Sequence, residues 1–170
     1  MKTFKAQKAY KIHKWNLVIP LAIILLGLWF INNRIQENPY SDETRIAQDG
    51  DSYSYMSRVG KTENEKTEHV NIEYKRFSGI ETLWVTSCTE DTDLELLCYS
   101  EVGKGDFKVV LVDEFKRVHT LIEGQSENFI RIPVIEGVYK VKIIGYKASG
   151  VIDLTILNSD DVEIKRFPTL

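Results

Sequence analysis

Hydrophobic positions along this chain follow three rules in succession. Residues 15–31 (WNLVIPLAIILLGLWFI) form a run without one charged side chain. In residues 32–68 the apolar positions are scattered among Asn, Asp, Glu, Ser and Gly, and from Val70 onward they recur in short β-rich runs broken by turn residues. The first run predicts a helix about 25 Å long at about 1.5 Å per residue, close to the roughly 30 Å of a hydrocarbon core. Trp15 and Trp29 fall near its two ends, where indole rings favour the headgroup levels. Lys14 on one side, and Asn32, Asn33 and Arg34 on the other, make up the remaining length by snorkelling into the interface. Pro20 sits early in the helix, where its missing N–H costs least. The expected organisation is a basic tail over 1–14, a transmembrane signal anchor over 15–33, a polar tether over 34–68 and a β domain over 69–170.

A cleaved secretory signal is the rival reading, and a buried soluble helix the third. A secretory signal has an apolar core of about 7–15 residues and ends in a small-x-small site. Phe30, Ile31, Asn32, Asn33, Arg34 and Ile35 offer no such site, and no Cys follows to take a lipid. Orientation comes from the tail. Lys2, Lys5, Lys8, Lys11 and Lys14 precede the run, and the first acidic residue is Glu37. The positive-inside rule therefore keeps the N-terminus cytoplasmic and places the rest outside, as a single-pass protein of the cell membrane with the lipid bilayer as its first partner. The lysines recur every three residues and so spread around a helix axis, which suits a topology signal rather than a nucleic-acid patch.

The later pattern is that of strands. Short runs at 70–77, 81–88, 93–102, 107–112, 118–122, 128–132, 138–144 and 151–157 are rich in Val, Ile, Leu, Phe and Tyr. Phe107, Val109 and Leu111 share a face, as do Tyr139, Val141 and Ile143, and Ile152, Leu154 and Ile156; this is the period of half-buried antiparallel strands. Turn signals separate the runs at Ser78-Gly79, Gly103-Lys104-Gly105, Asp113-Glu114, Glu123-Gly124, Glu136-Gly137 and Ser149-Gly150. Eight short strands without helical period between them predict an all-β, antiparallel β-sandwich or jelly roll, with a small barrel as the alternative. Residues 53–59 alternate weakly and could add an edge strand, and 162–167 could add another before Pro168.

Charge narrows the partners. The chain holds 22 basic and 25 acidic residues; without the five tail lysines the exported part stands at about −8. That balance disfavours nucleic acid or any free polyanion as a partner of the domain as a whole.

The glycine and aromatic spacing Gly105-x-Phe107 and Gly137-x-Tyr139, with Gly145 and the turn Lys147-Ala148-Ser149-Gly150, resembles the C-terminal β domain of small, mostly uncharacterised exported or membrane-anchored proteins of Gram-positive bacteria. The resemblance covers the final third of the chain. It implies a fold and brings no active site.

Candidate chemistry is sparse. Cys88 and Cys98 fall on neighbouring runs, and a hairpin register with 88 opposite 98, 86 opposite 100 and 84 opposite 102 would bring both thiols to one face within disulfide reach. Two free buried thiols are the alternative. Glu90, Asp91, Asp93 and Glu95 crowd the tip between them. Leu96 stands where a calcium loop needs glycine and the closing glutamate is missing, so the tip reads as a solvated turn. His69 and His119 sit in no nucleophile motif, and there is no phosphate loop, HExxH or CxxC. No catalytic residue, cofactor or metal is expected.

Three function classes remain open. The first is a membrane-tethered binding or accessory module for an envelope protein or glycan. The second is a carbohydrate-binding domain, which would need an aromatic platform on one sheet face, with Tyr74, Trp84, Tyr99, Tyr139 and Tyr146 as candidates. The third is a small hydrolase, which would need carboxylates clustered in a cleft.

Overall fold

The computed structural model describes residue 20 and residues 23–26, 38–61, 69–157 and 162–166. In chain order the elements are a 3-10 turn (Pro39–Ser41), a one-turn helix α1 (Glu43–Ile46), and strands β1 (Ser52–Ser54), β2 (Ser57–Lys61), β3 (His69–Cys88), β4 (Thr92–Val112), β5 (Val118–Glu123), β6 (Ser126–Val134), β7 (Gly137–Ile156) and β8 (Val162–Arg166). Every ladder is antiparallel, and β7 lies at the centre between β3 and β4.

Three strands of 20 or 21 residues dominate. Each replaces two of the short strands that the sequence predicts: 70–77 joins 81–88, 93–102 joins 107–112, and 138–144 joins 151–157. The dividing signals are bends, not reversals. At Gly79, Gly105 and Ser149-Gly150 the chain kinks while its ladders slip register, which is how a β-bulge turns a strand through a corner. Gly105 needs its positive φ of 72°. At Gly150 a Cβ would meet the Glu101 carbonyl oxygen at 1.9 Å, so only glycine lets β7 and β4 approach there. The signals at Asp113-Glu114, Glu123-Gly124 and Glu136-Gly137 are true reversals between strands.

The bends fold one sheet into two half-sheets. The first consists of β2, the first half of β3, the second half of β7, the first half of β4, and β6. The second consists of β1 and β8 against the second half of β3, then the first half of β7, the second half of β4, and β5. Inward residues of both meet in one core: Val70, Ile72 and Tyr74 from the first, Trp84, Val109, Leu111, Val141 and Ile143 from the second. The expected inward faces of the three alternating runs all hold. Leu83 is skipped in the ladder between Thr82 and Trp84, so it and Trp84 both reach this core. A file of rings threads its bend side: Tyr55 stacks on Phe77 at 4.6 Å between centroids, and Tyr74 on Phe107 at 4.9 Å. Among the described residues no ladder closes the sheet on itself, so the arrangement is sandwich-like and not a barrel.

The disulfide hairpin does not form. β3 and β4 are adjacent in sequence but flank β7, so Trp84 and Thr86 pair with Val141 and Tyr139, while Ser100 and Val102 pair with Ile152 and Gly150. Cys88 and Cys98 are free, buried thiols, opposite Gly137 and Leu154 respectively. The register drawn from sequence fails because a strand from much later in the chain inserts between its two arms.

By contact the chain divides into two units, residues 1–37 and 38–170. The β domain thus takes in residues 38–61, which the sequence suggests as tether: they form the 3-10 turn, α1, β1 and β2. The expected transmembrane helix over 15–33 lies outside the described residues, except that residues 20 and 23–26 are helical with Ile23, Ile24, Leu25 and Leu26 exposed. Among the described residues no helix is long and apolar enough to cross a membrane.

Candidate functional site: an open sheet face

The outer faces of the two half-sheets are finished differently. Outward from the second half-sheet point Ile80, Val110, Val112 and Ile144, and Ile46 and Ala47 pack on them from α1 and the residue after it, with Tyr40 alongside. Polar pins hold this cover. Asp51 accepts from the Thr82 amide at 2.8 Å and from its hydroxyl at 2.6 Å. Asp49 takes Lys140 at 2.6 Å and also Lys116, and the Tyr40 hydroxyl donates to Glu123 at 2.8 Å. Lys142 is fully buried beneath, donating to the Gln48 carbonyl at 2.5 Å. Burial pushes its pKa down, against the pull of Asp51.

Nothing described covers the outer face of the first half-sheet. There β4 presents Leu97 and Tyr99, 46% and 41% exposed, and β6 presents Phe129, 53% exposed. The alternation that buries Leu94, Leu96 and Cys98 turns Leu97 and Tyr99 outward, and the pairing of Leu97 with Phe129 brings the rings of β4 and β6 onto one patch. A hollow of about 360 Å³ lies between them, lined also by Glu127, Asp153 and Thr155.

Asp153 stands directly across from Tyr99 in the ladder. Its two oxygens are held by His69 Nε2 at 2.9 Å and by the Asn71 amide at 2.7 Å. The side of the hollow therefore carries a carboxylate in fixed orientation, framed by an imidazole and an amide. Ring faces next to oriented planar polar groups suit a ligand that is apolar on its faces and rich in hydroxyls at its edges. A general acid–base pair on a reacting bond would need more.

Of the aromatic candidates read from sequence, Tyr74, Trp84 and Tyr139 belong to the core. Tyr146 is half-buried at the bend, with Lys147 Nζ 5.0 Å from its ring. Tyr99 alone reaches the hollow. Phe129 was missed, although the spacing of Ile130 and Ile132 already implied that Phe129 and Arg131 point the other way. His69 is a framing residue. His119 lies on the other half-sheet, 3.5 Å from Asp113; burial raises that carboxyl, but the amide and guanidinium of Arg117 outweigh it and hold it below its ordinary value.

Three of the four carboxylates of the 90–95 tip are engaged in structure. Asp91 accepts from the Glu136 amide at 3.1 Å, and Arg131 pairs with Asp93 and Glu95. Among the described residues no three His, Cys, Asp or Glu side chains converge as metal ligands. Cys98 lies under the hollow, and burial pushes its thiol up to about 12, which keeps it protonated and unreactive near neutrality. Glu81, nearly inaccessible, takes Arg58 at 3.2 Å and the Tyr55 hydroxyl, binding β2 and the link before it to β3.

No protein-family model matches the chain, and no curated protein does. Among solved structures it is similar to a family 35 carbohydrate-binding module from an environmental isolate, at 9% identity and a TM-score of 0.35, covering 68% of this chain and 83% of that one. It is also similar to the enzymatically active domain of bacteriophage CBA120 tailspike protein 4, at 8% identity and a TM-score of 0.37, covering 78% of this chain but 21% of that one. Likenesses this distant carry neither ligand nor activity across.

Proposed function

We propose that this chain is a membrane-tethered binding module without catalytic activity, which holds its β domain outside the cell and takes a saccharide of the envelope on the open half-sheet. The observation that supports it is the unequal finish of the two outer faces: one is sealed by residues 38–51, while the other leaves Leu97, Tyr99 and Phe129 uncovered around a hollow with an oriented carboxylate. A domain that gained nothing from the second face would bury or charge those rings. The cellular side of the reading rests on sequence. The uncharged run over 15–31 and the five lysines before it anchor the protein with its N-terminus in the cytoplasm and its lipid contact in the bilayer.

The full chain, solubilised in detergent and applied to an array of neutral and acidic oligosaccharides, tests the binding. Retention on a saccharide class, lost in Tyr99→Ala with Phe129→Ala, is expected. Binding to no glycan, with capture of an envelope protein instead, would refute the saccharide. The anchor is tested by N-terminal sequencing of the membrane fraction: a mature chain that starts between residues 32 and 41 would overturn it.

A further inference from the structure

Where the three long strands bend, a second and larger cavity of about 700 Å³ opens. Lys75, Arg76, Lys104 and Lys147 line it, together with Glu73 and Glu101. Four cations against two carboxylates leave two positive charges at one end of a domain that is otherwise acidic. Among the described residues none of the four cations makes an ion pair, whereas Glu101 accepts from the Tyr99 hydroxyl at 3.1 Å.

Backbone geometry marks the same place. The described residues other than glycine with positive φ are Arg76 at 50°, Lys116 at 63° and Lys147 at 53°. Two of these three stand on this cavity. A left-handed conformation disfavours side chains other than Gly, Asn or Asp, so a bend that needed only to turn would be served better by glycine. Both corners are also fixed: the Arg76 amide donates to Ser149 Oγ at 3.1 Å and the Lys147 amide to Ser78 Oγ at 2.9 Å. Strain retained at a rigid corner, with a cation at each strained position, points to a use for the cations.

The cavity continues the open face. From the Tyr99–Asp153 pair the next outward row along the strands is Glu101, Val151 and Glu73, and that row lines the cavity. From Tyr99 to Lys104 is about 17 Å at about 3.3 Å per residue, the reach of a short oligosaccharide. We infer that the two hollows form one track, and that its ligand is an anionic saccharide whose rings lie on Tyr99 and Phe129 while a carboxylate or phosphate group enters the bend cavity. This rests on the reading of the open face as a saccharide site. Net charge argued against a polyanion for the whole domain, but the bend concentrates its cations at one end, and recognition follows the local field.

Two matched pairs of probes test it: trigalacturonate with its methyl ester, and pentamannose phosphate with pentamannose. Calorimetric titration of the wild-type chain should show one charged member binding at least tenfold more tightly than its neutral twin, with the gap shrinking at high salt. Which pair shows the gap distinguishes carboxylate from phosphate. In Lys104→Gln with Lys147→Gln the gap should close while the neutral twin binds as before, which also shows that the variant is folded. Equal binding of the twins by wild type, or a gap that survives the double variant, would overturn the inference and leave the saccharide reading standing. Binding of none of the four would overturn the inference, and binding of no glycan on the array would overturn the saccharide reading with it.

Discussion

The two half-sheets are made from the same three strands, yet one hides its outer face and the other shows it. Beneath residues 38–51 the outward positions are Ile80, Val110, Val112 and Ile144; around the hollow they are Leu97, Tyr99, Phe129, Glu127, Asp153 and Thr155. Both sets contain large apolar side chains. What differs is that one set is met by Ile46, Ala47 and Tyr40, with Asp49 and Asp51 pinning the cover down, while the other is met by nothing described. Apolar surface that a fold covers contributes to stability; apolar surface that it leaves open remains available to a partner.

Substitutions should separate the two faces. Ile46→Ala, at a fully buried position, is expected to cost about 2–5 kcal/mol in urea unfolding, the range for deleting a buried aliphatic side chain. A loss below about 1 kcal/mol would mean that the cover is dispensable and the contrast superficial. Asp51→Ala removes both acceptors of Thr82 and should cost about 1–3 kcal/mol.

Lys142 makes the covered face sensitive to pH. Its folded pKa is lowered by burial under the cover, so between that value and the unfolded value near 10.4 the unfolded state holds more protons. Stability of the wild type relative to Lys142→Met should therefore rise as pH climbs towards about 10, and level off above it. A difference that stays flat with pH would show that this lysine is solvated.

Smaller effects are expected elsewhere. With both thiols free, Cys88 and Cys98 should alkylate in protein unfolded without reductant. A mass shift that appears only after reduction would restore the bridge that the sequence suggested. On the open face, Tyr99→Ala and Phe129→Ala should each move stability by no more than about 0.5 kcal/mol, as exposed positions do.

Much of the fold could be read from the chain, and the reason is periodicity. The faces of 107–111, 139–143 and 152–156 were set by alternation, which depends only on local geometry. Which strands were continuous could not be read, because a glycine with positive φ serves a bulge and a reversal alike, and Gly79 and Gly105 are bulges. The partner of Cys98 was hidden for a different reason: β7 enters between β3 and β4 from about 50 residues downstream, and nothing local announces a strand that inserts from so far away. The site was half legible. Tyr99 was among the candidates, Phe129 was implied by its neighbours, and the pairing of Asp153 with His69 and Asn71 required the fold.

If the open face binds and does not stabilise, its affinity and the domain's stability separate, and one paired measurement addresses this. Wild type and the Tyr99→Ala, Phe129→Ala double variant should be titrated calorimetrically with the saccharide that the array selects, and their melting temperatures recorded in the same buffer. At least a tenfold weaker affinity is expected for the variant, with a melting temperature unchanged to within about 3 °C. Equal affinity in the two proteins, or a variant that melts far lower, would contradict it.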